Sequence, residues 1–415
     1  MKKVLVVLLV VSMFLLGACE GLQSPPTQVA PIAEQTQAPA EEKQPVESTV
    51  VEETPPAVEA PEVSGKVTVQ YAKNFSLEYG DGYKVLTVSQ PWIGATQAYR
   101  YVLIPHGAEA PANIGEALVV ETPIDSIVTM STTYYPFLEQ IGKLETISAV
   151  DSVMFTVNQT VRTLVESGVV AEVGGGSSMA AVDVEKLIDI EPDVVMTSAT
   201  GSADYDVHPK LQEAGLPVVI NADYIEQDPL ARAEWGKFIA AFYNEEDKAA
   251  AAFDEVVARY STAKALAEGV QEKATVFVNT DYQGTWYVPQ SESYLAILLK
   301  DAGADYLFTD QAGAGSAPLS FEVVFDRAKD ADFWVNPGFA ADKAGLQAMD
   351  ERYAQFEAFS NDKVYNNNAR ANENGGLDYY ESGVANPDVV LLDLVKIFYP
   401  DLAADHQLYY YQQLQ

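Results

Sequence analysis

Short apolar runs alternate with amphipathic helical patterns in two separate parts of this chain. In the first part, the runs are "SIVTM", "PDVVMTS" and "PVVIN", and the helical patterns are "YPFLEQIGKL", "DVEKLIDI" and "HPKLQEAG". In the second part, "ATVFVNT", "ADFWVNP" and "KVYNN" alternate with "SYLAILLKDAG", "FEVVFDRAK" and "DVVLLDLVKIF". Apolar runs of this length between amphipathic helices are typical of parallel strands covered on both faces. The pattern therefore predicts an α/β protein with two parallel sheets.

A long helical stretch separates the two α/β parts. Residues 228–270 are rich in Ala, Glu and Lys, with Asn244 as a possible break. We expect a long connecting helix between two Rossmann-like lobes, an N-terminal lobe over 118–227 and a C-terminal lobe over 271–415. Each lobe then has an ordinary domain size.

The segment before the first lobe has a different periodicity. Over residues 66–117, apolar and polar residues alternate in "KVTVQYA", "YKVLTV" and "YRYVLIP". This alternation predicts short antiparallel strands, and Asp81-Gly82 is a hairpin-turn sequence. We expect a small N-terminal β extension.

The first 65 residues carry export and anchoring signals. Lys2 and Lys3 precede a short apolar run, so residues 1–18 have the pattern of a signal peptide. "LGAC", which ends at Cys19, resembles the lipobox of bacterial lipoproteins, and this resemblance implies cleavage before Cys19 and a lipid on its thiol. Cys19 is the only cysteine in the chain, so no internal disulfide can form. We expect an exported protein, lipid-anchored to the outer face of the cytoplasmic membrane.

Residues 19–65 follow the lipobox as a Pro-rich, acidic stretch that contains no aromatic residue. A chain of this composition cannot bury enough apolar surface to offset its ordering entropy. We expect it to be a disordered linker that holds the folded part away from the membrane.

Composition excludes several classes of function. Sixty acidic residues against twenty-five basic ones give a net charge of −35, which repels nucleic-acid phosphates and anionic lipid headgroups. His106, His208 and His406 are the only histidines and lie in three different regions, which disfavours a Ser-His-Asp site or a multi-histidine zinc site. The "GGGS" stretch ending at Ser177 lacks the lysine of a phosphate-binding loop. We therefore expect a binding protein rather than an enzyme, without a cofactor.

The residues that follow the predicted strands are the candidate site. In open parallel sheets, the ligand crevice lies outside the carboxyl ends of the strands. We expect the ligand to be bound by Thr132, Thr133, Tyr134, Ser177 and Ser198 of the first lobe and by Trp286, Tyr287, Asn368 and Arg370 of the second.

Two of these groups have an alternative interpretation. The stretch "VYNNNARANENGG" offers amides and the Arg370 guanidinium to an anionic ligand, but asparagines also serve simply to turn a chain. Trp286 and Tyr287, in "GTWYVP", are expected to be exposed in a polar loop, although aromatic residues near strands more often pack in a core.

Several longer stretches between Asn74 and Tyr411 resemble those of one protein family. The most specific are "NFSLEYGDGYKVLTV", "LARAEWGKFIAAFY", "GTWYVPQSESYLAILLKDAGADYLF", "DADFWVNPG" and "VYNNNARANENGGLDYYESG". They are similar to substrate-binding lipoproteins of ABC importers, in the class III periplasmic-binding-protein family that captures iron-siderophores, haem or cobalamin. The resemblance implies a monomer with two lobes, a rigid connecting helix and a shallow cleft between the lobes.

The same resemblance implies the partners. It places at Glu185 and Glu322 the two exposed glutamates that dock on arginines of the permease, which works with its ATPase subunits. Relatives that bind bare zinc or manganese use converging histidines, and no histidine follows a predicted strand of either lobe here. We therefore expect a chelated iron, as in a ferric siderophore. Cobalamin or haem is the alternative on the same fold; a surface hydrolase using Ser131 or Ser177, or a tethered adhesion module, is less favoured.

Overall fold

The computed structural model describes residues 67–174 and 181–415. The predicted signal peptide, Cys19 and the linker lie outside the described residues, and so does Ser177. None of the helices within these two ranges has both the length and the apolar character needed to cross a bilayer.

The N-terminal extension is a four-stranded sheet in the order β1-β2-β3-β4. Its strands β1 and β2 form the expected hairpin, with Gly82 at a φ of 80° in the turn. Strand β4 pairs in parallel with β3 and extends this sheet beyond the expected boundary at residue 117. The four strands are Phe75–Tyr79 (β1), Lys84–Val88 (β2), Tyr99–Pro105 (β3) and Leu118–Thr122 (β4).

The segment before β1, expected to be a strand in "KVTVQYA", is not one. Its backbone N–H groups instead donate to two buried carboxylates. Those of residues 70–72 lie 2.6–2.8 Å from the Glu234 carboxylate oxygens, and those of residues 73 and 74 lie 2.9 Å from Glu226 Oε1. Lys237 Nζ, 2.7 Å from Glu234 Oε1, also donates to the Thr68 carbonyl at 2.9 Å. Side chains thus satisfy the donors that a neighbouring strand would otherwise pair.

The first lobe is a five-stranded, all-parallel sheet in the order β7-β6-β5-β8-β9. Its strands are Ile127–Thr129 (β5), Ile147–Val150 (β6), Ala171–Glu172 (β7), Val194–Thr197 (β8) and Val218–Ile220 (β9). Its helices are Tyr135–Ile141 (α1), Gln159–Glu166 (α2), Val184–Ile190 (α3) and His208–Glu213 (α4).

Two helices, rather than one, occupy the expected connecting stretch. Helix α5 covers Pro229–Ala241 and helix α6 covers Glu246–Ala267, with Asn244 between them at a left-handed φ of 57°. The core of the first lobe includes the end of α5 and Ala249 at the start of α6, whereas Phe253 and the rest of α6 belong to the core of the second lobe. At 22 residues, α6 is about 33 Å long, and it spans both lobes.

The second lobe contains a five-stranded sheet in the order β13-β10-β15-β16-β17, parallel except for β17. A separate antiparallel sheet, β11-β12-β14, follows its first strand. The strands are Thr275–Val278 (β10), Asp281–Tyr282 (β11), Thr285–Pro289 (β12), Asp305–Tyr306 (β13), Ser316–Leu319 (β14), Phe333–Val335 (β15), Val364–Asn366 (β16) and Gln412–Gln413 (β17). The helices are Tyr294–Asp301 (α7), Phe321–Ala328 (α8), Lys343–Met349 (α9), Glu357–Ser360 (α10), Asp378–Glu381 (α11) and Pro387–Phe398 (α12).

The buried carboxylate on α5 gives a stability prediction. Glu234→Ala removes the acceptor of three backbone N–H groups and the carboxylate partner of the buried Lys237, which keeps the Thr68 carbonyl. We expect a loss of about 3–5 kcal/mol in the free energy of unfolding, measured by denaturant titration. The control is Glu255→Ala, because Glu255 forms an exposed ion pair with Arg259 on α6 and should cost less than about 1 kcal/mol. Equal unfolding midpoints for the two variants would contradict a structural role for Glu234.

Candidate functional site

The strand order places the candidate site at the carboxyl edges of the two sheets. In the first lobe, β6 and β7 lie on one side of β5, and the chain then crosses to β8 and β9 on the other side. The strand order therefore reverses between β5 and β8. In the second lobe the order reverses between β10 and β15. Crevices at such reversals are where open α/β sheets bind ligands. The loops after these four strands are therefore the central candidate loops.

On one flank the two carboxyl edges touch each other. Asn372, in the Asn-rich stretch of the second lobe, donates from Nδ2 to the carbonyl oxygens of Met154 and Thr156, at 2.9 and 3.0 Å. Arg162 of the first lobe pairs with Glu373 of the second. These contacts join the carboxyl edge of the first sheet to that of the second on this flank.

Glu381 reinforces this flank. Its carboxylate accepts the backbone N–H groups of Val157 and Asn158 of the first lobe, at 2.8 and 2.6 Å, just before helix α2. Burial raises the pKa of Glu381 to about 7; the two N–H donors oppose this rise, and the nearby Asp378 and Glu139 carboxylates add to it. Glu381 is thus a titratable group in the contact between the lobes.

The first asparagines of the stretch are structural. Asn366 is buried and donates from Nδ2 to the carbonyls of Gly338 and Ala340, at 2.8 and 2.9 Å, which ties the end of β16 to the loop after β15. Asn368, expected to bind ligand, donates to Ala340 at 3.1 Å and accepts from Gln412 at 2.9 Å. The interpretation of these residues as loop-forming is the one that the hydrogen bonds favour.

Arg370 is also engaged within its own lobe. Its Nε lies 2.6 Å from Asp378 Oδ2, and its guanidinium carbon lies 4.4 Å from the centre of the Tyr409 ring. The side chain is nevertheless 46% exposed, so the outer edge of the guanidinium reaches solvent. Asp378 neutralises much of the charge that the sequence offered to an anionic ligand.

The expectation that Trp286 is exposed is wrong. Residues 285–289 form strand β12 rather than a loop, and Trp286 is fully buried with Nε1 donating to the Val278 carbonyl at 2.8 Å. Its ring packs among aromatic side chains, including Phe277 and Trp334. Because successive strand residues point to opposite faces, Tyr287 lies on the other side of the small sheet and stays partly exposed.

The described first-lobe candidates fall into two groups. Thr132 and Thr133 follow β5, and Ser198 follows β8, and all three are partly exposed at the carboxyl edge. Tyr134 instead points into the protein and is buried, and burial together with the Asp223 carboxylate raises the pKa of its hydroxyl well above the usual value. The structure therefore keeps Thr132, Thr133 and Ser198 as candidates and moves Tyr134 to the core.

The sequence interpretation missed a polar link between the lobes at the base of α5. Arg232 donates to the Tyr224 and Glu226 carbonyls, at 2.6 and 2.8 Å, and its guanidinium carbon lies 4.4 Å from the ring centre of Tyr294 in the second lobe. Burial raises the pKa of the adjacent Asp223 to about 6, against the opposing effect of Arg232. The signal available in the sequence was Arg232 itself, a charged residue in the first turn of a helix whose residues are mostly apolar.

The sequence did not predict the exposed apolar side chains that lie at the carboxyl edges. Met154 follows β6, Phe339 follows β15, and Tyr380 lies on α11 beside the contact between the lobes; all three are exposed. Large apolar side chains exposed together commonly mark ligand or partner sites. This arrangement suits a ligand with an organic surface.

A cavity of about 390 Å³ also lies between the lobes, on the side of helix α1. It is bordered by residues of both lobes and contains none of the predicted ligand residues. The lining consists of Pro136, Glu139, Gln140, Ser382, Asn386, Val389, Tyr409 and Tyr410.

Comparison with known families identifies this architecture. A family model described as periplasmic binding protein matches residues 127–371, more than half of the chain. The chain belongs to the periplasmic binding protein family. Because this is a family of solute-binding proteins, the prediction of a binding protein rather than an enzyme is confirmed. The N-terminal extension lies before the matched residues.

Two relatives from Methanocaldococcus jannaschii, both named uncharacterized lipoproteins, are similar to this periplasmic binding protein over most of its length. One is 28% identical over 356 residues, which is 80% of this chain and 82% of the relative. The other is 26% identical over 366 residues, which is 85% of this chain and 88% of the relative.

Solved structures share the fold. A possible iron-binding (periplasmic solute-binding) protein from Staphylococcus epidermidis superposes with a TM-score of 0.51 at 18% identity, over 67% of this chain and all of that one. A periplasmic heme binding protein from Pseudomonas aeruginosa gives 0.50 at 18% identity, over 67% of this chain and 94% of that one. These likenesses confirm the predicted two-lobe α/β fold.

Glu185 and Glu322 occupy equivalent positions in this periplasmic binding protein. Each is the exposed second residue of a helix, α3 or α8, that leads into a strand of its lobe. In each case the capping side chain, Asp183 or Ser320, accepts the N–H of the residue after the glutamate. Hydrogen bonds from its own N–H and from Ser320 lower the pKa of Glu322, and Arg352 lies 3.6 Å away.

Glu381 predicts a pH dependence. Because its pKa rises from 4.5 to about 7 on folding, its contribution to stability is fully present below pH 4.5 and is lost as the pH approaches 7. As the pH rises from 4.5 to 7, the wild type should therefore lose at most about 3 kcal/mol of unfolding free energy compared with Glu381→Gln. Thermal unfolding at several pH values measures it. Glu213→Gln, which changes an exposed carboxylate that does not act on Glu381, is the control. A difference between wild type and Glu381→Gln that does not vary with pH would refute the assignment.

Proposed function

We propose that this periplasmic binding protein captures a chelated metal ion, with a ferric siderophore as the preferred class, in the cleft between its lobes. The observation that carries the proposal is the contact between the two carboxyl edges, which carry both partly exposed hydroxyls and exposed apolar side chains. Cargo with an organic shell matches such a surface, since ligand sites combine apolar walls with a few polar groups that orient the ligand.

The available donor atoms favour a chelate over a bare metal ion. Across residues 67–174 and 181–415, no group of three or more His, Cys, Asp or Glu side chains is arranged to hold a metal ion. A chelate brings its own metal ligands and needs only contacts to its shell. We assign those contacts to Thr132, Thr133, Ser198 and Tyr287, with the exposed edge of Arg370 as the contact for an anionic group.

Haem or cobalamin on the same fold is the second candidate. The exposed Phe339 and Tyr380 offer flat aromatic surfaces to a macrocycle, and one structure with this fold is that of a periplasmic heme binding protein. These ligands differ from ferric siderophores in mass and in visible absorption, so one measurement separates them.

Delivery completes the proposed function. We propose that a lipid on Cys19 anchors the protein to the outer face of the membrane, as the lipoprotein names of its relatives support. We further propose that Glu185 and Glu322, on separate lobes, dock on basic residues of an ABC permease. Matching glutamates on two lobes suit a transporter with two related halves.

The ligand is tested by native mass spectrometry and absorption spectroscopy of protein purified from its own host. We expect an additional mass that contains iron and equals that of a ferric chelate, together with a visible absorption band of the complex. A haem or corrinoid spectrum would select the second candidate. If neither the host preparation nor titration with ferric siderophores, haem and cobalamin shows binding, the proposed function is wrong.

Docking is tested with the double variant Glu185→Ala, Glu322→Ala. Because both glutamates are exposed and neither is assigned to the ligand, the variant should bind ligand like the wild type. Its ability to stimulate the ATPase of the reconstituted transporter should fall about tenfold or more, since interfacial charge pairs contribute on the order of 1.5 kcal/mol or more each. The matched control replaces two other exposed glutamates, Glu213 and Glu255, by alanine. Equal stimulation by both double variants would refute the assignment.

A further inference from the structure

The N-terminal extension places a loop at the carboxyl edge of the first lobe. This β2–β3 loop, residues 89–98, lies outside the region that matches the family. Its tip is a tight turn in which the Ala95 N–H donates to the Trp92 carbonyl at 3.1 Å, and Gly94 has a φ of 81°. Ile93, at the corner of this turn, is 62% exposed.

Trp92 lies directly on the loop that follows β8. A Cβ atom on Gly201 would lie 2.6 Å from both Cδ1 and Nε1 of the indole, so this close approach requires a glycine. The indole also packs beside His208 at the start of α4, with ring centres 5.8 Å apart. Strand β8 is one of the two strands at the reversal in the first lobe, so Trp92 lies beside the predicted ligand crevice.

Trp92 also joins an apolar surface of the first lobe. Both Trp92 and Met130, the residue after β5, are partly exposed and pack against the same buried cluster, which includes Val128, Ala199 and Val207. The ring from the extension thus lies against the loop after β8 and shares a buried cluster with Met130, the residue after β5.

The loop is held on a rigid support. Strand β3, which begins directly after the loop, is joined to the first-lobe sheet by Tyr101, whose hydroxyl accepts the Ile220 N–H at 2.7 Å. The extension and the first lobe share one hydrophobic core. Binding groups on a supported element keep their position better than groups on a free loop.

We propose that Trp92 and Ile93 form an apolar wall of the cleft and contact the bound ligand. This rests on the proposed function and narrows it, because the wall fits a metal chelate whose shell presents an apolar or planar face. The extension then contributes directly to ligand specificity, through residues that lie before the region matched by the family model.

The four tryptophans make this testable by fluorescence. Trp92 is partly exposed, whereas Trp235, Trp286 and Trp334 are fully buried. Acrylamide, a neutral quencher that the net charge of −35 does not repel, should therefore report mainly on Trp92. The probes are gallium(III) complexes of a hydroxamate and a catecholate siderophore, because gallium complexes do not absorb visible light as their ferric forms do.

We expect a binding gallium complex to reduce acrylamide quenching at least twofold in the wild type and to leave it unchanged in Trp92→Phe. Calorimetry on the same samples measures binding independently of fluorescence. Ile93→Ser should weaken binding about fivefold to tenfold through the loss of apolar contact. The matched control is Val169→Ser, since Val169 is 65% exposed but precedes β7 and so lies at the opposite edge of the sheet.

The outcomes separate the two proposals. If a complex binds by calorimetry while quenching of Trp92 does not change and Ile93→Ser binds like Val169→Ser, the apolar wall is refuted and the proposed function stands. If neither these complexes nor haem or cobalamin binds, the proposed function fails and the wall fails with it. Thermal unfolding of each variant verifies that the fold is intact.

Discussion

The division of one helix pair between two hydrophobic cores is the constraint on which the rest of this structure depends. Helices α5 and α6 are covalently continuous, yet their residues are shared between the cores of the two lobes. Neither core is complete without residues of the pair, so the pair ties the two lobes together. The same helices organise the N-terminal segment. Glu234 and Lys237, buried on α5, bind the backbone of residues 68–72, which precedes the first strand. An apolar helix with two buried charges is tolerated because each charge is fully hydrogen-bonded.

The cleft combines a closed flank with an open centre. At the flank, Asn372 and Glu381 of the second lobe bind backbone groups of the first, and these hydrogen bonds can form only when the two carboxyl edges face each other. At the centre, where both sheets reverse their strand order, the side chains after the strands include the hydroxyls of Thr132, Thr133 and Ser198, the thioether of Met130 and the exposed ring of Phe339. Two nearby cations are already engaged, since Arg370 is paired with Asp378 and Arg232 donates to backbone carbonyls. A surface of this kind recognises the organic shell of its cargo by shape and apolar contact, and holds polar groups only for orientation.

Sequence periodicity predicted the two sheets and located most of their strands, but it failed at strand β6, "ISAV", and at the small sheet that contains β12. Strand β6 has only four residues and no flanking turn residues, so the sequence shows no recognisable strand periodicity there. The polar and glycine-containing residues 281–285 indicated a loop, and this made Trp286 a candidate ligand contact when it is a core residue. The asparagines after β16 were placed correctly at a carboxyl edge. Their amides, however, could be assigned to Gly338 and Ala340 only once the neighbouring loop was seen, because the partners lie more than 25 residues away.

The sequence by itself determined the α/β class, the two lobes, the helical stretch between them and the family, because these follow from local periodicity and from long matching stretches. It also located Thr132, Thr133, Ser198 and Asn368 shortly after strands. Only the tertiary structure decided which of those residues face the cleft and which are consumed by internal hydrogen bonds. It alone brought Trp92, from an extension more than 100 residues earlier in the chain, onto Gly201 at the edge of the first sheet. Such contacts arise from packing between distant segments, and no local pattern in the chain encodes them.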